Sequence, residues 1–212
     1  MKRVEKQRFY KIRKAWTRVR NGLFLFSLRN FLTRFGLDIA PYYWESEGLA
    51  HCKELKIKDD PDDYEVVHIK AGEIGIMHNI MGLDSQELKE KIKNGQLCMG
   101  LKYQGEIVAV VFADFNDFVF KDRPFQLKKN QAYILNLYTF EAHRGKGLAP
   151  YLRYQCYKVL KERGVDEIFS ITSYFNKSSL RANQKMNIKH LNLFLYIGLF
   201  KRFHWNYTLK EY

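Results

Sequence analysis

Residues 132–149 pass from a strand pattern, through a basic glycine turn, into a helix pattern, and no other stretch constrains the fold as tightly. The segment Ala132-Tyr-Ile-Leu-Asn-Leu-Tyr-Thr139 is rich in β-branched and aromatic residues and holds no Gly or Pro. The turn His143-Arg-Gly-Lys-Gly-Leu-Ala149 follows. Beyond it, apolar residues at Leu148, Leu152, Cys156, Val159 and Leu160 make a helical stripe that stops at Gly164. The first N–H groups of a helix lack internal partners, and the helix dipole favours negative charge there. A basic glycine turn at that place therefore suits a diphosphate. Gly145 and Gly147 let backbone approach a ligand closely. Pro150 sits in the first turn, where its missing N–H costs little. The competing reading is a plain surface turn.

Two rival phosphate loops are excluded. The pattern Gly-x-x-x-x-Gly-Lys-Ser/Thr is absent, and Pro150 stands where Gly-x-Gly-x-x-Gly needs its last small residue. The run Arg144-Gly-Lys-Gly147-Leu-Ala149 instead matches Arg/Gln-x-x-Gly-x-Gly/Ala, the acetyl-coenzyme A signature of the GCN5-related N-acetyltransferase (GNAT) superfamily. A second element of that family follows, Asn176-Lys-Ser-Ser179 leading a short helix to Asn187. Residues 64–212 thus resemble a GNAT domain.

The resemblance implies a mixed α/β (α+β) fold, with a mostly antiparallel, splayed sheet flanked by helices. It implies acetyl-CoA as co-substrate and transfer of its acetyl group to a primary amine of a small molecule. The donor's pantetheine would pair with Leu137, Tyr138 and Thr139. Its diphosphate would rest on Gly145, Lys146, Gly147, Leu148 and Ala149, with Arg144 adding charge. Asn176 and Ser179 would complete the donor site. Asn176 is also a natural helix N-cap. Many relatives protonate the leaving thiolate with a Tyr seven residues after that Asn. Asn183 stands there in this chain and cannot act as a general acid. Tyr138, Tyr174 and Tyr196 are the candidate replacements, each also readable as sheet packing. Asp114, Asn136 and Tyr133 are the candidates for the base. His143 reads as a packing or phosphate contact.

The other expectations come from pattern alone. A strand is expected over 64–70, helices over 72–81 and 85–93, and a hairpin of 96–103 and 106–114 around Gln104-Gly105. An irregular connection over 115–130 leads to the strand 132–139 and the helix 147–163. A strand over 168–173, a helix over 178–186 and closing strands over 188–197 and 203–209 complete the domain. His51–Lys58 reads as a short edge strand, and Ile39–Trp44 as a break in the helix pattern before it. Asn187 replaces a glycine usual in relatives, and Asn is a residue that accepts the left-handed conformation there.

The net charge of +13 is uneven, because residues 1–37 carry eleven Lys/Arg and one Glu. Phe9, Ile12, Trp16, Val19, Leu23 and Phe26 repeat at helical spacing among those charges. The division expected is a basic amphipathic helical arm over 1–45 and the acetyltransferase-like domain over 46–212. Three readings of the arm stand. It packs on its own domain or a second subunit, it lies on an anionic membrane through residues 1–37, or it binds nucleic acid, for which charge is the only sign. The three cysteines show no metal-ligand spacing, so no metal is expected. A reduced, cytoplasmic setting is expected, with peripheral association at the inner membrane face if the arm binds lipid. An amino sugar or a lipid-linked precursor is the acceptor this suggests. A longer-chain acyl donor, and a coenzyme A-binding or membrane-associated interaction module without turnover, are the alternatives.

Overall fold

The computed structural model describes residues 24–52, 56–73 and 85–212. Ten strands, β1 (Leu37–Glu47), β2 (Tyr64–His68), β3 (Leu97–Tyr103), β4 (Glu106–Asp114), β5 (Phe118–Phe120), β6 (Arg123–Phe125), β7 (Gln131–Thr139), β8 (Glu167–Ser173), β9 (Lys189–Leu199) and β10 (Phe203–Glu211), alternate with four α-helices among these residues. The helices are α1 (Phe24–Leu32), α2 (Ser85–Lys93), α3 (Leu148–Glu162) and α4 (Lys177–Lys185). Eight strands form one sheet in the order β10-β9-β1-β8-β7-β4-β3-β2. Every neighbouring pair is antiparallel except β7 with β8.

α3 forms where its stripe places it. Leu148, Leu152, Cys156 and Leu160 are buried against Met99, Leu101, Val111, Ala132 and Ile134 of the sheet. The helix closes at Gly164 (φ +80°), whose N–H and that of Val165 return to the carbonyls of Lys161 and Leu160. Asn187 takes φ +54° after α4, as expected of Asn at that position. The β3–β4 turn is left-handed at both Gln104 (φ +51°) and Gly105 (φ +84°), the conformation that matches strand twist in a two-residue hairpin.

Three expectations are corrected. Residues 115–130 are not irregular throughout, because β5 and β6 pair as a small hairpin. Its inner aromatic residues Phe118, Phe120 and Phe125 pack on Tyr42, Trp44 and Phe194, so burial of aromatic surface holds the loop to the sheet. No strand forms at the described residues of 51–58. Ile39–Trp44 is not a break but the body of β1, which pairs with β9 from Leu37 to Ser46 and with β8 from Tyr42 to Glu47. Pro41 is tolerated because its nitrogen, which has no hydrogen to donate, lies on the side of its carbonyl, past the last β1–β8 pair at Tyr42↔Ser173, where that carbonyl accepts from Tyr174 N–H at 3.0 Å. Residues 37–45, expected as the end of the arm, are therefore the first nine residues of a central strand. Of the arm, residues 24–32 are helical. Phe9, Ile12, Trp16, Val19 and Leu23, and residues 74–81 of the helix expected over 72–81, lie outside the described residues.

Candidate active site

The cleft begins where a ladder stops. β7 and β8 pair in parallel from Gln131↔Glu167 to Ile134↔Ser170 and no further. β7 meanwhile stays paired to β4 as far as Thr139. Residues 135–139 thus keep one edge free of strand pairing on the β8 side. A bulge sits at the point of separation. Val110 pairs with Tyr138 and Phe112 with Leu135, so Asn136 and Leu137 together oppose Val111, and Asn136 takes φ +50°. Asn tolerates that conformation better than most residues.

The space between the strands has two parts. The outer part, about 960 Å3, is lined by Leu137, Tyr138 and Thr139 of β7, by residues 143–150, and by Asn176, Ser178, Ser179 and Ala182 around α4. Its cationic lining comes from Lys56, Lys58, Arg144, Lys146, Arg181 and Lys185. The inner part, about 320 Å3, is lined by Ile134–Leu137, Ala149, Pro150, Arg153, Ser170–Thr172, Ser178, Ser179, Ala182, Asn183 and Met186.

The turn that opens α3 has the geometry its glycines predict. Gly145 and Gly147 have φ +83° and +86°. A Cβ at Gly145 would meet nothing within 4 Å, whereas one at Gly147 would lie 3.4 Å from the carbonyl oxygen of Lys56. Gly147 is the N-cap of α3 and supplies no side-chain cap, so the N–H groups of Leu148 and Ala149 have no acceptor within the helix. Arg144 is folded back onto β7, donating to the Thr139 carbonyl (Nε, 3.0 Å) and to Tyr138 Oη (Nη2, 3.2 Å). The Lys146 side chain turns to Asp59, 2.7 Å away, which raises the lysine pKa and lowers that of the carboxyl. At the rim, buried Thr139 Oγ1 and His143 Nδ1 have no hydrogen-bond partner among the described residues. Asn176 caps α4, accepting from Ser179 N–H at 3.2 Å.

Other candidates fall elsewhere. Asp114 does not line the cleft. Its carboxylate accepts from Gln96 Nε2, Phe115 N–H and both Asn116 N–H and Nδ2, so it closes the turn after β4. Tyr133 faces the aromatic cluster and stacks on Phe118 at 4.0 Å; burial raises its pKa. Tyr196 lies on β9, where Lys121 sits 5.1 Å from its ring and a hydrogen bond with Asp122 adds to burial in raising its pKa. Tyr174 follows β8 and lies between Tyr43 and Lys177.

Behind the inner chamber lies a buried polar network absent from the sequence expectations. Arg153 of α3 donates to Glu47 Oε1 (2.7 Å), Ser170 Oγ (3.0 Å) and Asn183 Oδ1 (3.0 Å), and its Nε lies 2.5 Å from Glu47 Oε2. Tyr157 donates to the same carboxylate. Asn183 Nδ2 donates to Glu45 Oε2 (2.8 Å) and Thr172 Oγ1 (2.9 Å), and His190 Nδ1 lies 2.9 Å from Glu45 Oε1. Burial raises the pKa of Glu45, against the lowering effect of hydrogen bonds from Thr172 and Asn183. Glu45 and Glu47 come from β1, the strand whose pattern concealed it. Their period-two alternation with Trp44 and Ser46 was the available signal.

A model of the acetyltransferase (GNAT) family matches residues 63–187, more than half of the chain. The chain belongs to the GNAT acetyltransferase family. Solved structures with the same fold include a GNAT acetyltransferase from Colwellia psychrerythraea, with a TM-score of 0.58 and 12% identity over 77% of this chain and 57% of that one. A GCN5-related N-acetyltransferase-like protein from Streptococcus suis aligns with a TM-score of 0.55 and 16% identity, over 77% of this chain and 63% of that one. The glucosamine N-acetyltransferase region of a fungal multi-domain β-N-acetylglucosaminidase aligns with a TM-score of 0.55 and 12% identity, over 84% of this chain and 22% of that one. This chain therefore spans under two thirds of the length of each. No curated protein matches it in sequence. The GNAT family uses acetyl-CoA. The free edge of β7, the uncapped start of α3, the cationic walls and the unpartnered polar atoms at the rim fit such a donor.

Proposed function

We propose that this GNAT protein transfers an acetyl group from acetyl-CoA to a primary amine of a small molecule. The observation that carries the proposal is the parting of β7 from β8 at Ile134 and Ser170, directly beside the basic turn that starts α3. In this reading the backbone of Leu137, Tyr138 and Thr139 takes the pantetheine. The N–H groups of residues 145–149 take the diphosphate, with Arg144, Lys146, Asn176 and Ser179 around it. The bound donor supplies an activated thioester carbonyl. The chain's own work is to orient it and to exclude water. It must also accept a proton from the attacking amine and return one to the thiol as the C–S bond breaks and the amide forms. The bulge at Asn136 marks the point on β7 nearest that chemistry, and Tyr138, which lines the outer cleft, is the candidate acid. Arg153, Asn183, Ser170 and Thr172 set polar groups among the apolar residues of the inner chamber's wall, which favours a short acyl group over a long one.

The acceptor proposed is an amino sugar or a lipid-linked amine, with residues 1–37 resting on an anionic membrane at the cytoplasmic face. Incubation of the full chain with acetyl-CoA and a panel of amines, with free thiol as the readout, tests the reaction. Steady thiol release with one amine class supports it. Tight donor binding by native mass spectrometry with no release in any case would establish the second reading, a coenzyme A-binding module. Asn183 favours that second reading, since it replaces the family's tyrosine and both its amide hydrogens already have acceptors.

A further inference from the structure

We propose that the end of the molecule formed by α1, the α1–β1 turn and the β9–β10 turn docks on an anionic lipid bilayer, with Phe200 as the inserting residue. The inference is separate from the acyl-transfer reading, and it adds the β9–β10 turn of the globular domain to the membrane reading of residues 1–37.

The β9–β10 turn has an unusual build. Phe200 (φ +51°) and Lys201 (φ +57°) are both left-handed, in the three-residue turn between the paired Leu199 and Phe203, where Asn or Gly would fit with less strain. A bulky residue in that conformation is uncommon and invites a functional reading. Phe200 is 68% exposed. The turn is not a loose tip. Phe200 N–H donates to the Gly36 carbonyl at 2.6 Å, and its ring lies so close to Gly36 that a Cβ there would sit 2.5 Å from it. Glycine at position 36 thus brings the β9–β10 turn against the end of α1.

The apolar surface continues on both sides of that contact. On one side Phe31 and Phe35 pack together at 4.9 Å, and both face solvent, Phe35 at 64%. Phe24, Leu25 and Leu28 extend the same exposure back along α1. On the other side the sheet register sets Phe203 beside Leu199 and Leu37, and Trp205 beside Ile197 and Ile39. Phe203, Trp205 and Ile39 are exposed. Exposed Phe and Trp side chains on both flanks of one turn are not ordinary for a water-facing end.

Charge selects the occupant. Segments 31–37 and 199–205 contain Arg34, Lys201 and Arg202 and no carboxylate. All three cations are exposed. Asp38, the nearest acid in sequence, is held by Arg29 at 2.7 Å and Lys121 at 2.6 Å. The surface is also the place where the basic segment 1–23 joins the described chain. A second copy meeting this end isologously would set like charges together. An anionic headgroup layer over acyl chains matches both the cations and the Phe and Trp side chains.

The test is sedimentation of the full chain with phosphatidylglycerol vesicles and with phosphatidylcholine vesicles. Three proteins are compared: the natural chain, Phe200→Asn with Phe203→Thr, and Lys201→Asn with Arg202→Gln. Asn accepts the left-handed turn, so both variants keep the hairpin; a thermal melt checks this. The expected result is binding of the natural chain to phosphatidylglycerol only, weakened about tenfold or more in each variant. Equal binding by all three overturns the docking surface and leaves residues 1–37 as the membrane element. No binding by the natural chain overturns both. Unchanged vesicle binding with a loss of self-association, or of duplex DNA binding, in the variants would assign this end to a second copy or to nucleic acid and overturn the proposal.

Discussion

Arg153 donates a 3.0 Å hydrogen bond to Oδ1 of Asn183, and that contact decides which way the Asn183 amide faces. With the oxygen toward Arg153, the nitrogen is turned to Glu45 and Thr172. Asn183 then has no amide hydrogen left for a ligand in the inner chamber, although it lines that chamber. Its place in the helix that packs over β8 makes it a joint between α4, α3 and β1.

The first prediction follows from that joint. Asn183→Leu keeps the volume and removes three hydrogen bonds from a buried site. It leaves Glu45 one donor short and Arg153 one acceptor short. An unsatisfied buried polar group costs roughly 1–3 kcal/mol, so a loss of about 2–4 kcal/mol is expected in denaturant unfolding. A loss under about 0.5 kcal/mol would show that the network is not tightly made. Donor affinity of the folded fraction should change by less than tenfold.

The second prediction separates charge from shape at the turn. Gly145 has open space around it but a left-handed backbone. Gly145→Asn tolerates that backbone, and Gly145→Asp is nearly the same shape with a negative charge. Acetyl-CoA should bind the Asp variant at least about tenfold more weakly than the Asn variant, or ~1.4 kcal/mol. Equal affinities would remove the diphosphate from this turn.

The third concerns the proton for the leaving thiol. Tyr138 lines the outer cleft, and Tyr196 lies on β9, two strands away from β8. Tyr138→Phe is expected to lower kcat about 100-fold or more, with donor KM unchanged, since general acid help is typically worth ~10²–10⁴. Tyr196→Phe should leave the rate intact. A full rate in Tyr138→Phe would pass the role to Tyr174, to water or to the acceptor.

The fourth is a pH dependence. Burial raises the pKa of Asp38, but hydrogen bonds from Arg29 and Lys121 outweigh it and bring the pKa below the usual value of 3.8. A carboxyl whose pKa is lowered on folding stabilises the native state above its unfolded pKa. That contribution disappears as the pH falls through the folded value. Asp38→Asn should therefore cost roughly 1–2 kcal/mol at neutral pH and much less once the pH has fallen well below the carboxyl's ordinary value of 3.8. A cost that stays constant down to acid would mean that the clamp acts by packing alone.

The parts of the site legible in the sequence were those built from consecutive residues. The strand, turn and helix of 132–163 could be read because period two, two glycines and period three-to-four follow one another without interruption. The cap at Asn176, the left-handed Asn187 and the Gln104-Gly105 hairpin are likewise local, each set by the conformations a single residue type allows. β1 was not legible. Its neighbours β8 and β9 lie more than 120 residues away in sequence, and Pro41 suggested a break until the end of β8 beside it was known.

The sequence by itself determined the local elements around the donor turn and the concentration of positive charge before residue 38, because both depend on residues adjacent in the chain. Only the tertiary structure decided where β1 inserts, since strand pairing is a choice among partners that local propensity does not rank. That insertion carries Glu45 and Glu47 beneath the chamber to meet Arg153, Asn183 and His190. It also brings Gly36 to Phe200. A lone buried carboxylate is costly, so its position has meaning only once its partners from other elements are in place.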